Sequence, residues 1–335
     1  MSILSQNNLS GAALVASLFA SHTATAVDLN YDSLSSLEEP IAFELGDTTF
    51  SVNGLIDSAL SYGDESENDS FILGNFQIGA ETQLPNSWTL GATYFGSYSS
   101  SDLDADDSYQ DNAAIYLGGI WGTSAVGNVT GLVREQTRRA RGVGNAELSF
   151  DDQLGQLDDY GISYSGRFGP NVFMIATDED GGYELGASYQ RPLGNKDYRF
   201  SLQYRDSKYT PDNEVTVFDS RGVGFVSELT FGSTVFDLGL GVEQLSFDSL
   251  EADRTYASFG VSHKIGAWSA SAEAHLGQIE SQDERSYALG LRYDIARGLS
   301  LNLGANYTDA IIDVGTIRLL DDSDTVGTAS LRYSF

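Results

Sequence analysis

Four arginines, Arg134, Arg138, Arg139 and Arg141, fall close together in "LVREQTRRARGVGNAELSFDDQLGQL", residues 132–157, and Glu147, Asp151 and Asp152 follow in the same stretch. Guanidinium groups at this density attract anions, and they pair as readily with nearby carboxylates. Two readings stay open: a gate for anions, or a set of ion pairs that fixes the stretch's own shape. A second cluster is "SDLDADD" at 101–107, with Asp102, Asp104, Asp106 and Asp107. An EF-hand loop needs Gly at its sixth position and Glu at its twelfth; these are Asp107 and Ala113, so that motif fails. Four clustered carboxylates still attract divalent cations, and calcium or magnesium is the structural metal expected there. No other cofactor is expected.

Catalytic constellations are missing. There is no cysteine, so there is no disulfide, thiolate metal site or nucleophilic thiol. Only His263 and His275 lie outside the N-terminal segment, too few for most His-based metal sites. No Ser/His/Asp order stands out, and "GVGNAE" at 142–147 lacks the third glycine of the dinucleotide motif and any βαβ context. No enzymatic activity is expected.

The elements that must hold these residues are strands. The 335 residues carry 18 basic and 48 acidic side chains, a formal charge of −30 that disfavours nucleic acid as a partner. Thirty-six glycines, eighteen tyrosines and five prolines suit a chain built mostly of strands. The opening "MSILSQNNLSGAALVASLFASHTATAVDLN" has an apolar run at Gly11–Ala20 and an A-x-A site at Ala24–Ala26, so residues 1–26 read as a signal peptide despite lacking Lys or Arg in the first ten positions. Residues 27–47 are assigned to an N-terminal periplasmic segment. Beyond Ala26 no apolar run approaches the roughly 18 residues of a transmembrane helix.

A closed barrel crosses a membrane differently, through segments of about ten residues that are apolar at alternate positions. In "RSYALGLRYDI", 285–295, Tyr287, Leu289, Leu291, Tyr293 and Ile295 share one face, and Ser286, Ala288, Gly290, Arg292 and Asp294 share the other. Tyr198, Phe200, Leu202 and Tyr204 repeat the scheme opposite Arg199, Ser201, Gln203 and Arg205. The apolar faces are free of charge and tend to finish in Tyr, as a lipid-facing band with aromatic girdles does. Sixteen strands are predicted, near 48–62, 70–84, 88–99, 111–121, 123–131, 158–168, 171–178, 182–191, 198–208, 219–231, 235–247, 254–264, 267–280, 285–295, 298–309 and 324–335. Tight turns such as "PNS" at 85–87 alternate with longer acidic stretches such as 63–69, 100–110 and 310–323. The final "TASLRYSF" alternates to its last residue, which fits a strand that must pair with the first to close the sheet. The fold class expected is all-β, a transmembrane antiparallel β-barrel spanning 48–335.

With that frame, "AAIYLGGIWGTSAVGNVTG" at 113–131 and "LDDYGISYSGRFGPNVFMIAT" at 157–177 resemble the strand–turn–strand segments flanking the third external loop of the Gram-negative trimeric general porin family. The resemblance implies a homotrimer in the outer membrane, in contact with lipid and lipopolysaccharide, whose third loop folds into the lumen. Here that loop is 132–157, the longest connection, and Leu132, Val133, Val143, Leu148, Phe150, Leu154 and Leu157 give it apolar anchors. A loop lying over a neighbouring subunit is the alternative. The loop departs from the family's usual acidic pattern through its arginines, which leaves the sign of ion selectivity open.

The inward faces of the predicted strands carry Asp57, Glu81, Asp159, Arg167, Arg199, Arg205, Asp237, Glu243, Lys264, Glu273, Arg292, Asp294 and Arg332. Of these, Arg167, Arg199, Arg205, Arg292, Asp57 and Glu81 are the expected pore wall, facing a constriction of Arg134, Arg138, Arg139, Arg141, Glu147, Asp151 and Asp152. Charges facing one another across a water-filled barrel set a transverse field. The expected function is passive diffusion of small hydrophilic solutes and ions. A sugar- or anion-specific channel and a plugged structural or adhesion barrel are the alternatives.

Overall fold

Alternation of apolar and polar residues is realised as strands along almost the whole described chain, which in this computed structural model comprises residues 41–63, 69–101, 108–129, 131–157, 160–194, 196–210, 217–248, 250–315 and 317–335. In order they are β1 (Ile41–Leu45), β2 (Thr48–Gly63), β3 (Asp69–Gln83), β4 (Thr89–Ser101), β5 (Ser108–Gly119), β6 (Gly122–Asn128), β7 (Tyr160–Phe168), β8 (Asn171–Asp178), β9 (Tyr183–Leu193), β10 (Lys196–Tyr209), β11 (Phe218–Phe231), β12 (Thr234–Phe247), β13 (Leu250–Ile265), β14 (Trp268–Ile279), β15 (Gln282–Ala296), β16 (Leu299–Val314) and β17 (Ile317–Ser334). A short helix, α1 (Leu132–Thr137), lies between β6 and β7. The leader at 1–26 and Asp102, Asp104, Asp106, Asp107 and Asp159 fall outside the described residues.

Each strand from β2 to β17 pairs antiparallel with the next, and β17 returns to β2, with Leu331 opposite Ser58 and Ser334 opposite Leu55. The result is a closed barrel of sixteen strands. Phe335 completes the seam: its N–H donates to Gly54 O at 2.9 Å, and the Gly54 N–H donates to Phe335 O at 2.8 Å. Gly54 has to be glycine, because a Cβ there would sit 2.6 Å from the Phe335 ring.

The two faces divide as the alternation requires. On β15, Leu289 is 60% exposed and Ala288 beside it 1%; Leu202, Val242, Phe259 and Leu276 are other exposed outward positions. Charged and polar side chains such as Arg205, Glu243, Ser286 and Asn302 point the other way and are buried. Apolar outside and polar inside inverts a soluble core and suits a hydrocarbon surround.

Two parts of the expectation fail. Residues Ile41–Leu45, placed by the sequence in a segment preceding the barrel, form β1 and pair with β2 from Ile41 opposite Val52 to Leu45 opposite Thr48. The alternation of Ile41, Phe43 and Leu45 and a left-handed Gly46 (φ 65°) make a hairpin, and Phe43 stacks on Phe50 at 5.1 Å. The stretch 310–323 is not a loop: β16 runs to Val314, β17 begins at Ile317, and Gly315 (φ 64°) turns the chain. Its acidic residues had signalled a solvated connection, but Ala310, Ile312 and Val314 continue the two-residue apolar period.

Candidate functional site: the 131–157 segment and the inner wall

Gly131 (φ 70°) turns the chain out of β6 into α1, whose Leu132 and Val133 pack with Phe95, Ala114, Leu157, Met174 and Ala176. The Thr137 hydroxyl lies 2.8 Å from Val133 O and 2.6 Å from Gln203 Oε1, within hydrogen-bond reach of both, so the helix ends against β10. From there the segment follows the inward face, strand by strand. Val143 N–H donates to Ser271 Oγ at 2.9 Å, Asn145 Nδ2 to Ser330 Oγ at 3.1 Å, and Ser149 N–H to Ser286 Oγ at 3.1 Å. Glycines on the wall make room for it. A Cβ on Gly290 would lie 1.9 Å from Val143 O, and one on Gly304 2.2 Å from Asn145 O. Gly186, Gly222 and Gly260 are crowded in the same way by Val133, Gln153 and Arg139.

Three of the four loop arginines are consumed by carboxylates. Arg134 Nε donates to Asp152 Oδ2 at 2.9 Å, and Arg138 pairs with Glu135. Buried Arg139 meets Asp237 at 2.6 Å, Asp151 at 2.8 Å and Glu273 at 3.3 Å. Arg141 is exposed and no ion pair is formed by it among the described residues; Glu147 is exposed as well. Burial opposes the charge on Arg139, but Asp151, Glu273 and Asp237 more than offset it and hold the guanidinium protonated. Burial would likewise raise Asp152, yet Arg205 and Arg134, with the Gln153 N–H and the Gln203 amide, hold its carboxyl at about 2. Glu135 is shifted upward by burial, against the pull of Arg141 and Arg134.

Wall residues hold the segment down, among them some expected to line water, and other expected wall residues are bonded to the wall itself. Arg254, fully buried, donates to Phe150 O at 2.5 Å and Asp152 O at 2.7 Å while pairing with Glu243 at 2.9 Å and Glu284 at 2.8 Å. Glu243 in turn accepts the Leu154 N–H at 3.0 Å and the Gly155 N–H at 3.1 Å. Arg205, expected on the pore wall, is buried between Glu184 at 2.7 Å and Gly155 O at 2.6 Å. Arg199 bonds Arg138 O and Glu228, each at 2.8 Å. Asp57 is buried against Arg332 at 2.5 Å, and Glu81 accepts from Tyr116 at 2.9 Å. Arg167 is exposed on β7. Arg254 and the wall glycines were not singled out by sequence as site residues; the available signal was glycine recurring at inward positions where small polar residues would otherwise stand.

A serine, histidine and carboxylate do meet. Ser258 Oγ lies 2.8 Å from His275 Nδ1, and His275 Nε2 lies 3.0 Å from Glu284 Oε1. All three are buried, and Glu284 is already neutralised by Arg254, so the trio braces the wall and offers no accessible nucleophile. A cavity of about 490 Å³ is lined by Gly142 and Val143 of the segment, Lys264 on β13, Arg292 and Asp294 on β15 and Arg332 on β17. Among the described residues no cluster of His, Cys, Asp and Glu is placed to hold a metal ion.

Solved structures with this arrangement decide what the fold is. OmpT of Vibrio cholerae, an outer membrane protein in its trimer form, superposes with a TM-score of 0.65 at 12% identity, covering 86% of this chain and 99% of its own. The anion-selective porin from Comamonas acidovorans gives 0.63 at 13%, covering 86% and 100%. A multiply substituted Rh. blastica porin gives 0.57 at 16%, covering 85% and 100%. The fold is that of a porin. Coverage of whole porin chains at such low identity means that the sixteen-strand closure is shared while the side chains are this protein's own. No protein-family model matches the chain, and no curated protein matches it in sequence.

Proposed function

We propose that this porin-fold chain is an outer-membrane channel of a Gram-negative bacterium, passing small hydrophilic solutes and ions by diffusion, with residues 132–157 as its constriction. The observation that carries the proposal is the pairing of an apolar outer face with a polar inner wall along which a long segment is bonded. No described helix is long and apolar enough to cross a membrane, and the strands of a barrel would do so. Charges left in contact with water, among them Arg141, Glu147, Lys264 and Arg292, give the passage a field that favours hydrated solutes over apolar ones. A homotrimer is proposed by likeness to the trimeric neighbour.

A second reading, an anion-preferring channel, is favoured by one observation: Lys264, Arg292 and Arg332 line the cavity next to Gly142, and Arg141, the residue before it in sequence, is exposed and forms no ion pair among the described residues. Liposome swelling separates the readings. Diffusion without charge preference gives rates that fall smoothly with solute size alone; an anion-preferring channel passes anionic solutes faster than neutral ones of the same size; absence of swelling would refute both.

A further inference from the structure

The inner wall changes character near one rim. Midway along the strands its inward positions are polar, for example Asn302 and Thr308 on β16, Arg254 and Ser258 on β13, and His275 on β14. Toward the hairpin end the same alternation delivers Ala310, Ile312 and Val314 on β16, Ala252 on β13, Ile279 on β14, Leu245 on β12 and Phe218 on β11, all buried in one apolar cluster. Leu319 and Leu320 of β17 join it, and Tyr209, Leu250, Phe150 and Leu154 pack against it. An apolar inner wall around an open, water-filled mouth would be wetted; a dry one requires something to close over it.

The closure can be located. The pairing of β16 with β17 slips between Ile312 and Asp313, leaving Leu319 as a bulge, so that both Leu319 and Leu320 turn inward. The bulge leaves the Leu319 carbonyl outside the ladder, and the Tyr209 hydroxyl donates to it at 3.2 Å. Tyr209 ends β10, which stands seven places from β17 in the ring of sixteen, close to the far side of the barrel. A direct hydrogen bond between such strands means that their ends meet across the mouth. The hairpin's outer surface remains polar, with Arg318 pairing to Asp313 at 2.5 Å and Asp321 at 3.0 Å.

We infer that the β16–β17 hairpin roofs the β10–β17 side of the mouth and is a second, size-selecting aperture in series with the 132–157 constriction, resting on the channel reading above. Solutes then enter over the β2–β9 side, and bulky ones are turned away at the roof before they reach the loop. Phe150 and Leu154, held beneath it, couple the two apertures mechanically.

Two experiments test this. The chain has no cysteine, so a Y209C/L319C variant treated in membranes with a short bis-maleimide reports directly on the chord across the mouth; an internal cross-link is expected, and its absence would overturn the roof. In the second, Ile312–Leu320 is replaced by Asn-Gly, which keeps Ile311 and Asp321 as the hairpin ends. Removing one of two comparable resistances in series raises single-channel conductance about twofold, and larger sugars should then swell liposomes. Should that variant fail to assemble, I312D, which puts a charge into the cluster, replaces it with the same expected direction. Wild-type-like conductance from a folded variant would refute the aperture. Silence of the wild type would instead strike the channel reading, and the cross-link would still decide whether the roof exists.

Discussion

Adding one methyl group at each of two wall glycines should narrow the passage. Alanine at Gly290 and Gly304 would place Cβ atoms 1.9 Å from Val143 O and 2.2 Å from Asn145 O. Ordinary contact needs about 3.4 Å or slightly more, so the segment must give way by roughly 1.2–1.5 Å. It cannot retreat into the wall. It also cannot swing free, because Arg139 holds one side through Asp237 at 2.6 Å and Arg254 holds the other through Phe150 O at 2.5 Å. Residues 142–147 therefore bow toward the barrel axis, at an overpacking cost of about 1–3 kcal/mol, which the closed sheet tolerates. The G290A/G304A variant should assemble normally, shown by heat-dependent migration on a denaturing gel, and conduct less than wild type in planar bilayers. Each single variant should fall between. Undiminished conductance from the assembled double variant would refute the placement of the segment as the constriction.

Arg254→Met leaves Glu243 and Glu284 buried without their shared cation, a loss of about 3–5 kcal/mol, and frees two loop carbonyls; noisy, substate-rich current from an intact barrel is expected, and E243Q/E284Q should quieten it. Asp152 carries a depressed carboxyl at about 2 against an ordinary 3.8, so its contribution of about 2–3 kcal/mol is complete above the ordinary value and fades as pH falls through the depressed one. The part of the conductance that depends on Asp152, read as the difference between wild type and D152N, should hold steady from pH 7 to about 4 and change only below that; a transition near pH 6 that D152N abolishes would contradict this. Arg141→Gln removes an exposed loop cation, and the reversal potential in a salt gradient should move toward cation preference, whereas an unmoved potential would place Arg141 away from the ion path. Gly54→Ala pushes the Phe335 ring off the seam; slower assembly into the heat-modifiable form is expected, and wild-type kinetics would show that the seam does not need that contact.

Strand number and facing were readable because a two-residue period leaves little choice: once Leu289 and Leu291 face out, Ala288 and Gly290 must face in. The rims were less readable. At 310–323 acidic residues signalled solvent although Ala310, Ile312 and Val314 kept the period, because charge marks the exposed face of a rim strand as well as a loop. β1 was hidden by brevity, five residues whose only punctuation is Gly46–Asp47. For the site, the density of Arg134–Arg141 was visible, but which guanidiniums would be consumed depended on partners as remote in sequence as Asp237 and Glu273. Arg205 and Arg254 could not be told from solvated wall residues, since burial of an inward side chain depends on what is laid over it. The glycines at 186, 222, 260, 290 and 304 mark that covering, and only the segment lying across them shows why they are there.

The most direct measurement is the current through a planar lipid bilayer after adding the purified, detergent-solubilised protein at low concentration. Discrete upward steps of uniform size, proportional to salt concentration, are expected of a wet barrel narrowed by its own loop. A bilayer that stays silent while the added protein is verifiably folded and inserted would contradict the passage of ions and, with it, the proposed function.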